Sequence, residues 1–322
     1  MVNKFFDKKG IKPSAIYDTY WKFAYERQNI FYARINNITP WTSDEVLSTY
    51  KFTNAYRASD RVSQYLLKNV IYKREYDKED TIFRILLFKL FNKIETWEYL
   101  ENKLDGIDFK TYSVEKYDKL LLELIDKNKK IYSAAYIMPS GMYFGQGKKH
   151  QNNLRLLEMI MADKIVEKIN DCDSLKALYE LMINYPSIGP FLGFQYAIDI
   201  NYSELCDFSE MDYVIAGPGA LSGISKCFDD IGKYSPEDII RFMAEIQEEE
   251  FERLGLCFKY LGKRKLQLID CQNLFCETDK YTRAVYPEVA GNNKRTKIKQ
   301  FFKPNLNNSI QFFYPPKWDI TL

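Results

Sequence analysis

The chain has 322 residues, 46 Lys+Arg against 44 Asp+Glu, and a formal net charge of +2. Aromatics reach 16% while Gly and Pro number only 14 and 11, which excludes a disordered chain and a glycine-punctuated sandwich or barrel. The single histidine, His150, excludes multi-histidine zinc sites, HExxH helices and facial-triad iron centres, and leaves one residue for any Ser-His-Asp or Cys-His triad.

Six cysteines (Cys172, Cys206, Cys227, Cys257, Cys271, Cys276) form no CxxC pair, so neither a zinc knuckle nor a redox motif is present. The start MVNKFFDKKGIK has no apolar run, and IFRILLFKLF is broken by Arg and Lys. These features predict a soluble cytoplasmic protein with reduced thiols, no membrane partner, no metal and no cofactor. Balanced charge gives no global pull toward nucleic acid, so a DNA contact must rest on local patches.

Helical periodicity dominates and predicts a mainly α fold. Asn54, Arg57, Asp60 and Arg61 fall on one polar face of a predicted helix, with Gln64 beside them. That face is either an ion-pair network or a reader of base edges and phosphates, since Asn and Arg make bidentate contacts. Phe83, Leu86, Leu87, Leu90, Phe91 and Ile94 predict a further helix, with Phe91 and Trp97 in the core and Asn92 as a pocket candidate. Pro139 to Gly147 holds three glycines and precedes Lys148, Lys149 and His150. Pro139, Ser140 and Gly141 are candidates for a pocket wall, Met142, Tyr143 and Phe144 for a wedge, and Lys148, Lys149 and His150 for phosphate contacts; the plain alternative is a surface loop. Leu156, Ile160, Ala162, Ile165 and Ile169 predict another helix.

Leu181 to Asp212 is the most informative stretch. An apolar helix ends at Tyr185, Pro-Ser-Ile-Gly turns the chain, and a second helix starts near Pro190, a residue suited to a first helical position. Gly189 permits close approach and helix N-termini favour anions, so Ile188, Gly189, Phe191 and Gly193 are candidate DNA contacts. An ordinary helix–helix turn fits the same residues. Beyond it, DYVIAGPGALSG places Gly217 and Gly219 as further DNA-contact candidates.

SPED at Ser235–Asp238 opens a predicted amphipathic helix over Asp238–Leu254, whose acidic run reads as a solvated face. In IDCQNLFCETDKY, Gln272, Asn273 and Glu277 are read as sharing a face with Lys280, where Glu277 and Lys280, three apart, also fit a simple ion pair. From Ala290 to Lys303 come Lys294, Arg295, Lys297, Lys299 and Lys303 with no acid, the best local patch for phosphates. Gln311–Tyr314 is a candidate strand.

The hairpin, followed by Asp212 23 residues after Gly189, resembles the helix-hairpin-helix superfamily of base-excision glycosylases. That resemblance implies a single catalytic module of two helical lobes, approximately 55–203 with the hairpin and approximately 1–54 plus 204–322, with Asp212 as the catalytic carboxylate at a cleft mouth. Asp199 competes for that role. The position of the superfamily's lyase lysine is Phe191 here, which implies no Schiff-base chemistry, and its iron–sulfur cysteines are missing.

A closer resemblance runs from about Phe52 to about Lys303. FTNAYRASDRVSQYL, LLFKLFNKIETWEYL, YIMPSG, GPFLGFQYAIDINYS, DYVIAGPGALSGISKCF and LQLIDCQNLFCETDKY are similar to the family named after the helical domain of 5-hydroxymethyluracil-DNA kinases, also called α-glutamyl/putrescinyl-thymine pyrophosphorylases. The resemblance implies double-stranded DNA with modified pyrimidines as partner, and a pocket-lining role for Gln272 and Asn273. The leading expectation is a monofunctional DNA glycosylase that flips such a base and hydrolyses its glycosidic bond with Asp212, in antiphage defence. The alternatives are a transferase that replaces pyrophosphate on an activated hydroxymethyl-pyrimidine with an amine or amino acid, and a non-catalytic reader of modified DNA.

Overall fold

The computed structural model describes residues 4–134, 139, 142–293, 295–304 and 311–321. The chain divides into two compact units, one of Met1–Asp60 with Val214–Leu322 and the other Arg61–Tyr213. The sequence placed its lobe boundaries near 55 and 203.

The first unit opens with α1 (Lys4–Lys9), α2 (Tyr17–Ile35) and α3 (Glu45–Thr49). The second holds α4 (Arg61–Tyr65), a π-helical turn (Leu66–Ile71), α5 (Lys78–Phe91), α6 (Ile94–Lys103), α7 (Val114–Asp126), α8 (Lys149–Ala162), α9 (Ile165–Asn170), α10 (Leu175–Ile183) and α11 (Pro190–Asn201). The chain returns to the first unit with α12 (Pro218–Cys227), α13 (Pro236–Glu245), α14 (Gln247–Arg253) and α15 (Leu268–Val285). The fold is mainly α. Among the described residues one small sheet pairs β1 (Lys12–Pro13) antiparallel with β2 (Phe228–Asp230). Among the described residues no helix is long and apolar enough to cross a membrane.

In the second unit α5 is the central helix. Every residue from Ile82 to Phe91 is buried, Arg84 and Lys89 included. Arg84 is tolerated because it donates to the carbonyls of Val70, Ile107 and Asn69 and lies over the rings of Tyr76 and Trp97. Asp77 caps the start and Asn92, at φ 47°, stops the helix in the left-handed region. That stop corrects the predicted helix through Ile94, which instead belongs to α6. A second left-handed residue, Lys164 at φ 54°, divides the predicted helix over Leu156–Ile169 into α8 and α9. Apolar spacing runs through both breaks because each flanking helix buries its own stripe.

The pair α10 and α11 forms the expected hairpin, with Ser174 capping the first helix and Pro190 at the first position of the second. Gly193 sets their distance: a Cβ there would lie 2.5 Å from Ile183 Cγ2.

The first unit is built on α12 against α15. A Cβ on Gly223 would come 2.0 Å from Phe275 O and one on Gly219 2.3 Å from Cys276 Sγ, so both residues are small where two helices touch. α2 packs Tyr20 on Phe275 and Trp21 on Phe251. A buried hub ties the pair together. Asp279 accepts from Ser222 Oγ at 2.9 Å, pairs with Lys226 Nζ at 3.1 Å, and is bonded by Arg283 and Asn293. Burial alone would raise its pKa, but Arg283, Asn293 and Lys226 outweigh it and hold the carboxyl below its ordinary range.

Ser235 and Asp238 form the capping box that SPED predicts. The predicted helix to Leu254 is broken at Ile246, where Gln247 turns its side chain onto Ala244 O, Leu266 O and Leu266 N. The expected strand at Gln311–Tyr314 is not formed. Side chains anchor that segment in place of a ladder, Phe312 against Phe31 and Tyr314 OH to Ser59 Oγ at 2.7 Å.

Candidate functional site

Phe52 to Asp60 of the first unit is a loop ending in a single 3-10 turn, Arg57–Ser59. It corrects the expectation that Asn54, Arg57, Asp60 and Arg61 share a helix face. Asn54 donates its backbone N–H to Asp60 Oδ1 at 2.7 Å and its side-chain amide to Ser59 O at 2.7 Å. These local bonds offer the backbone an alternative to the helical ladder. The structure brings Asn54, Arg57 and Asp60 together, whereas Arg61 is exposed at the start of α4 in the other unit.

Two helices hold this loop. From α2, Arg27 donates to Thr53 O at 2.8 Å and to Asn54 Oδ1 at 3.0 Å. From α15, Glu277 Oε2 accepts from Thr53 N at 3.0 Å and Asp270 Oδ1 from Arg57 N at 2.7 Å. One helical turn of 3.6 residues puts Asp270, Asn273 and Glu277 on one face, so half-buried Asn273 stands between the two carboxylates. Gln272 is about 140° of helix away from Glu277 by the same geometry, which corrects the shared face read from sequence. It is buried, and its Oε1 has no hydrogen-bond partner.

The electrostatics are unusual for a structural loop. Burial, reinforced by the Glu277 charge, pushes the Asp60 carboxyl up to about 7 against the opposing pull of the Asn54 N–H, Arg27 and Arg57. Burial lowers the Arg27 guanidinium to about 10 although Asp60 and Glu277 draw it the other way. Asp60 nevertheless keeps an accessible edge. A carboxyl poised near neutrality among guanidinium groups can accept a proton while a negative charge beside it is stabilised.

Sequence reasoning missed Arg27. Its signal was present: it occupies the apolar stripe Tyr20, Phe23, Ala24 and Phe31 of α2, where an ionisable residue has to be held by partners. Lys89 on α5 and Asp199 on α11 show the same signal. They form a 2.7 Å ion pair with side chains 3% and 2% exposed.

The remaining candidates are dispersed. Asp212 is exposed at the end of the second unit, its N–H on Ser209 O at 3.1 Å. Asn92 is buried with Nδ2 unpartnered. Lys148 and Lys149 are exposed. His150 is buried and bonded to Asp118 at 2.7 Å, and burial lowers its pKa against the pull of Asp118. Ile188 is buried, Phe191 half-buried, and the space beside Gly189 at the α11 N-terminus is open. Gly217 is the buried N-cap of α12, whose second residue is the packing glycine Gly219. Arg295 and Lys297 are exposed on a segment without regular structure that joins the chain near α3, through Lys51 N on Gln300 O and Phe302 N on Thr49 O. Pro139 is buried, and Ser140, Gly141 and Lys294 lie outside the described residues. Among the described residues no group of three or more His, Cys, Asp and Glu is placed to hold a metal ion.

Residues 14–291 match the family described as "5-hmdU DNA kinase, helical domain", and the chain belongs to that family. A relative named "5-hmdU DNA kinase", from Bacillus phage SP10, is 27% identical over 330 residues, covering 92% of this chain and 51% of its own length. The chain therefore spans about half the length of the curated relative it matches. No solved structure matches it. These findings correct the expectation of a monofunctional DNA glycosylase. A kinase transfers a group to its substrate and releases no base, so hydrolytic excision by Asp212, and the antiphage role built on it, fall away.

Proposed function

From this family membership and the Asp60 cluster, we propose that the chain is the DNA-reading helical half of a transferase acting on 5-hydroxymethylpyrimidines in double-stranded DNA. It holds the hydroxymethyl group for transfer from a phosphate donor. In phosphoryl transfer the hydroxymethyl oxygen bonds to the donor's terminal phosphorus. The bond from that phosphorus to the donor's bridging oxygen breaks, and the hydroxyl proton must leave.

The observation that carries this reading is Asp60, a carboxyl near neutrality with Arg27 and Arg57 around it. Asp60 accepts the hydroxyl proton, and the guanidinium groups offset the charge that develops on the transferring group. Asn54 and Asn273 line the same place and offer amide donors and acceptors to a base edge. Because Asp60 has only an accessible edge, the base leaves the stack to reach it. The exposed groups Arg295, Lys297, Lys148 and Lys149 and the α11 N-terminus at Gly189 hold backbone phosphates.

The test is binding of the full chain to two duplexes differing only in one 5-hydroxymethyluracil or thymine. The expected preference is about tenfold, or about 1.4 kcal/mol. With ATP as donor, nucleoside mass spectrometry should show a phosphate added to the hydroxymethyl nucleoside, a product lost in Asp60→Asn and kept in Asp212→Asn. Equal affinity for the two duplexes overturns the reading, and so does release of free base.

A further inference from the structure

The 3-10 turn Arg57–Ser59, which ends in Asp60, is gripped by a segment late in the sequence. Ser59 Oγ and the Tyr314 hydroxyl share a buried hydrogen bond at 2.7 Å across 255 positions. The Tyr314 ring stacks on Trp318 with centroids 6.3 Å apart and planes 26° from parallel. The Arg264 guanidinium lies 3.7 Å from the Trp318 ring centroid, and the Arg264 carbonyl accepts from the Tyr56 hydroxyl at 2.6 Å. Tyr56 O in turn accepts from Ser59 N at 3.0 Å. These contacts close a ring that runs from Ser59 through Tyr314, Trp318, Arg264 and Tyr56 back to Ser59.

The ring acts on the residue next to Asp60. Asn54 bonds both Ser59 O and Asp60 Oδ1, so a displacement of Ser59 is passed directly to the carboxyl. A buried tyrosine hydroxyl has to find a partner, and Tyr314 finds it on this turn, while Phe312 of the same segment packs on Phe31 of α2. Burial raises the Tyr314 pKa against the pull of the Ser59 bond, and Tyr32, Asp270 and Asp60 add to the rise, so the hydroxyl lies within the field of both carboxylates.

We infer that Tyr314 is a positioning residue of the candidate site: by holding Ser59 it fixes the Arg57–Ser59 turn and keeps water from the buried side of Asp60. The inference rests on the transfer role given to Asp60, and it adds the residue that keeps the carboxyl in place. The groups around Asp60 are Arg57 on its own turn, Arg27 from α2, Glu277 from α15 and Tyr314 from the late segment, with Asp270 of α15 on the Arg57 N–H. Tyr314→Phe leaves every charge among them unchanged, so a changed titration of Asp60 reports its position and its access to water.

The test follows the Asp60 carboxyl by carbon NMR of the full chain labelled at aspartate Cγ, its signal identified by loss in Asp60→Asn. The wild-type midpoint is expected at about 7. Tyr314→Phe keeps the ring stack and should lower that midpoint by about one unit, toward the ordinary carboxylate value. Ser59→Ala removes the same bond from its other side and should give the same shift, and the two changes together should add nothing further. It also keeps the test decisive should Tyr314→Phe fail to fold. Melting temperatures separate positioning from a general loss of stability. The deficit of Tyr314→Phe should be larger at about pH 4 than at about pH 8, because the variant carries less of the Asp60 penalty at high pH, and equal at both in an Asp60→Asn background. With ATP and the hydroxymethyluracil duplex, Tyr314→Phe should lower kcat about threefold with KM unchanged, and its pH profile should rise about one unit earlier. An Asp60 midpoint unmoved in both single variants overturns the inference, and so does a deficit equal at the two pH values with Asp60 present. The titration is read without substrate. A shifted midpoint in a protein that transfers no phosphate therefore upholds the hold of Tyr314 on Asp60 and overturns the transfer role instead.

Discussion

The Asn54 backbone N–H donates to Asp60 Oδ1 at 2.7 Å, and this bond holds a carboxyl whose pKa burial has raised from 3.8 to about 7. Between those values the folded state keeps a proton that the unfolded state has released. Stability therefore falls as pH climbs from about 4 to about 7 and levels off above. Asp60→Asn removes the penalty and accepts the same N–H. The variant should melt above the wild type at about pH 8 and lose that advantage near pH 4. Melting curves across that window check the sign. The transfer rate of the wild type should rise through pH 7 to a plateau, and Asp60→Asn should lower it about 100-fold.

Lys89 and Asp199 form a buried ion pair in the second unit. Removing one partner strands a charge in a dry core, so Lys89→Met should cost about 3–5 kcal/mol. The double variant Lys89→Met/Asp199→Leu should recover most of that loss, because apolar groups of similar size replace both charges. Urea midpoints of the three variants decide it, and a double variant no better than the single one contradicts the account.

Two glycines should respond in opposite ways. Gly223→Ala puts a methyl group 2.0 Å from Phe275 O, a backbone atom that cannot swing aside, and should cost about 2–3 kcal/mol or more. Gly189→Ala enters open space at an ordinary φ of −79° and should change stability by about 1 kcal/mol at most. Its effect should appear instead in DNA affinity, because the added methyl group screens the open N-terminus of α11.

Arg295, Lys297 and Lys299 are exposed and follow one another along a segment without regular structure. Changing all three to Gln should weaken DNA binding equally for hydroxymethyluracil and thymine duplexes. The slope of log K against log salt should shrink by about 1 for each phosphate that is no longer neutralised. Changing Glu248 and Glu249, on the acidic helix α14, should leave that slope unchanged. Anisotropy titrations at several salt concentrations measure both.

Features written into neighbouring residues were legible in advance. Ser235 with Asp238 and Pro190 after Gly189 announced two helix starts, and the apolar stripes announced the helices themselves. Asn92 and Lys164 were not legible as stops, since a left-handed residue leaves no mark on hydrophobic spacing. The polar face drawn through Asn54, Arg57, Asp60 and Arg61 failed for a related reason: the bonds of the Asn54 backbone N–H to the Asp60 carboxylate and of its side-chain amide to Ser59 O hold a loop in place of the helix.

Balanced charge, one histidine, helical periodicity and an ordered series of motifs were enough by themselves to establish a mainly α protein and its family. The motifs did not say which reaction such a chain serves, and hydrolysis was the wrong choice among those open. Tertiary structure alone decided which polar groups meet. Thr53 and Glu277 are 224 positions apart, yet their bond helps to set the surroundings of Asp60. A carboxyl's proton affinity depends on the water it loses and the charges it gains. Both are supplied by helices remote in sequence, so neither can be read from the residues on either side of it.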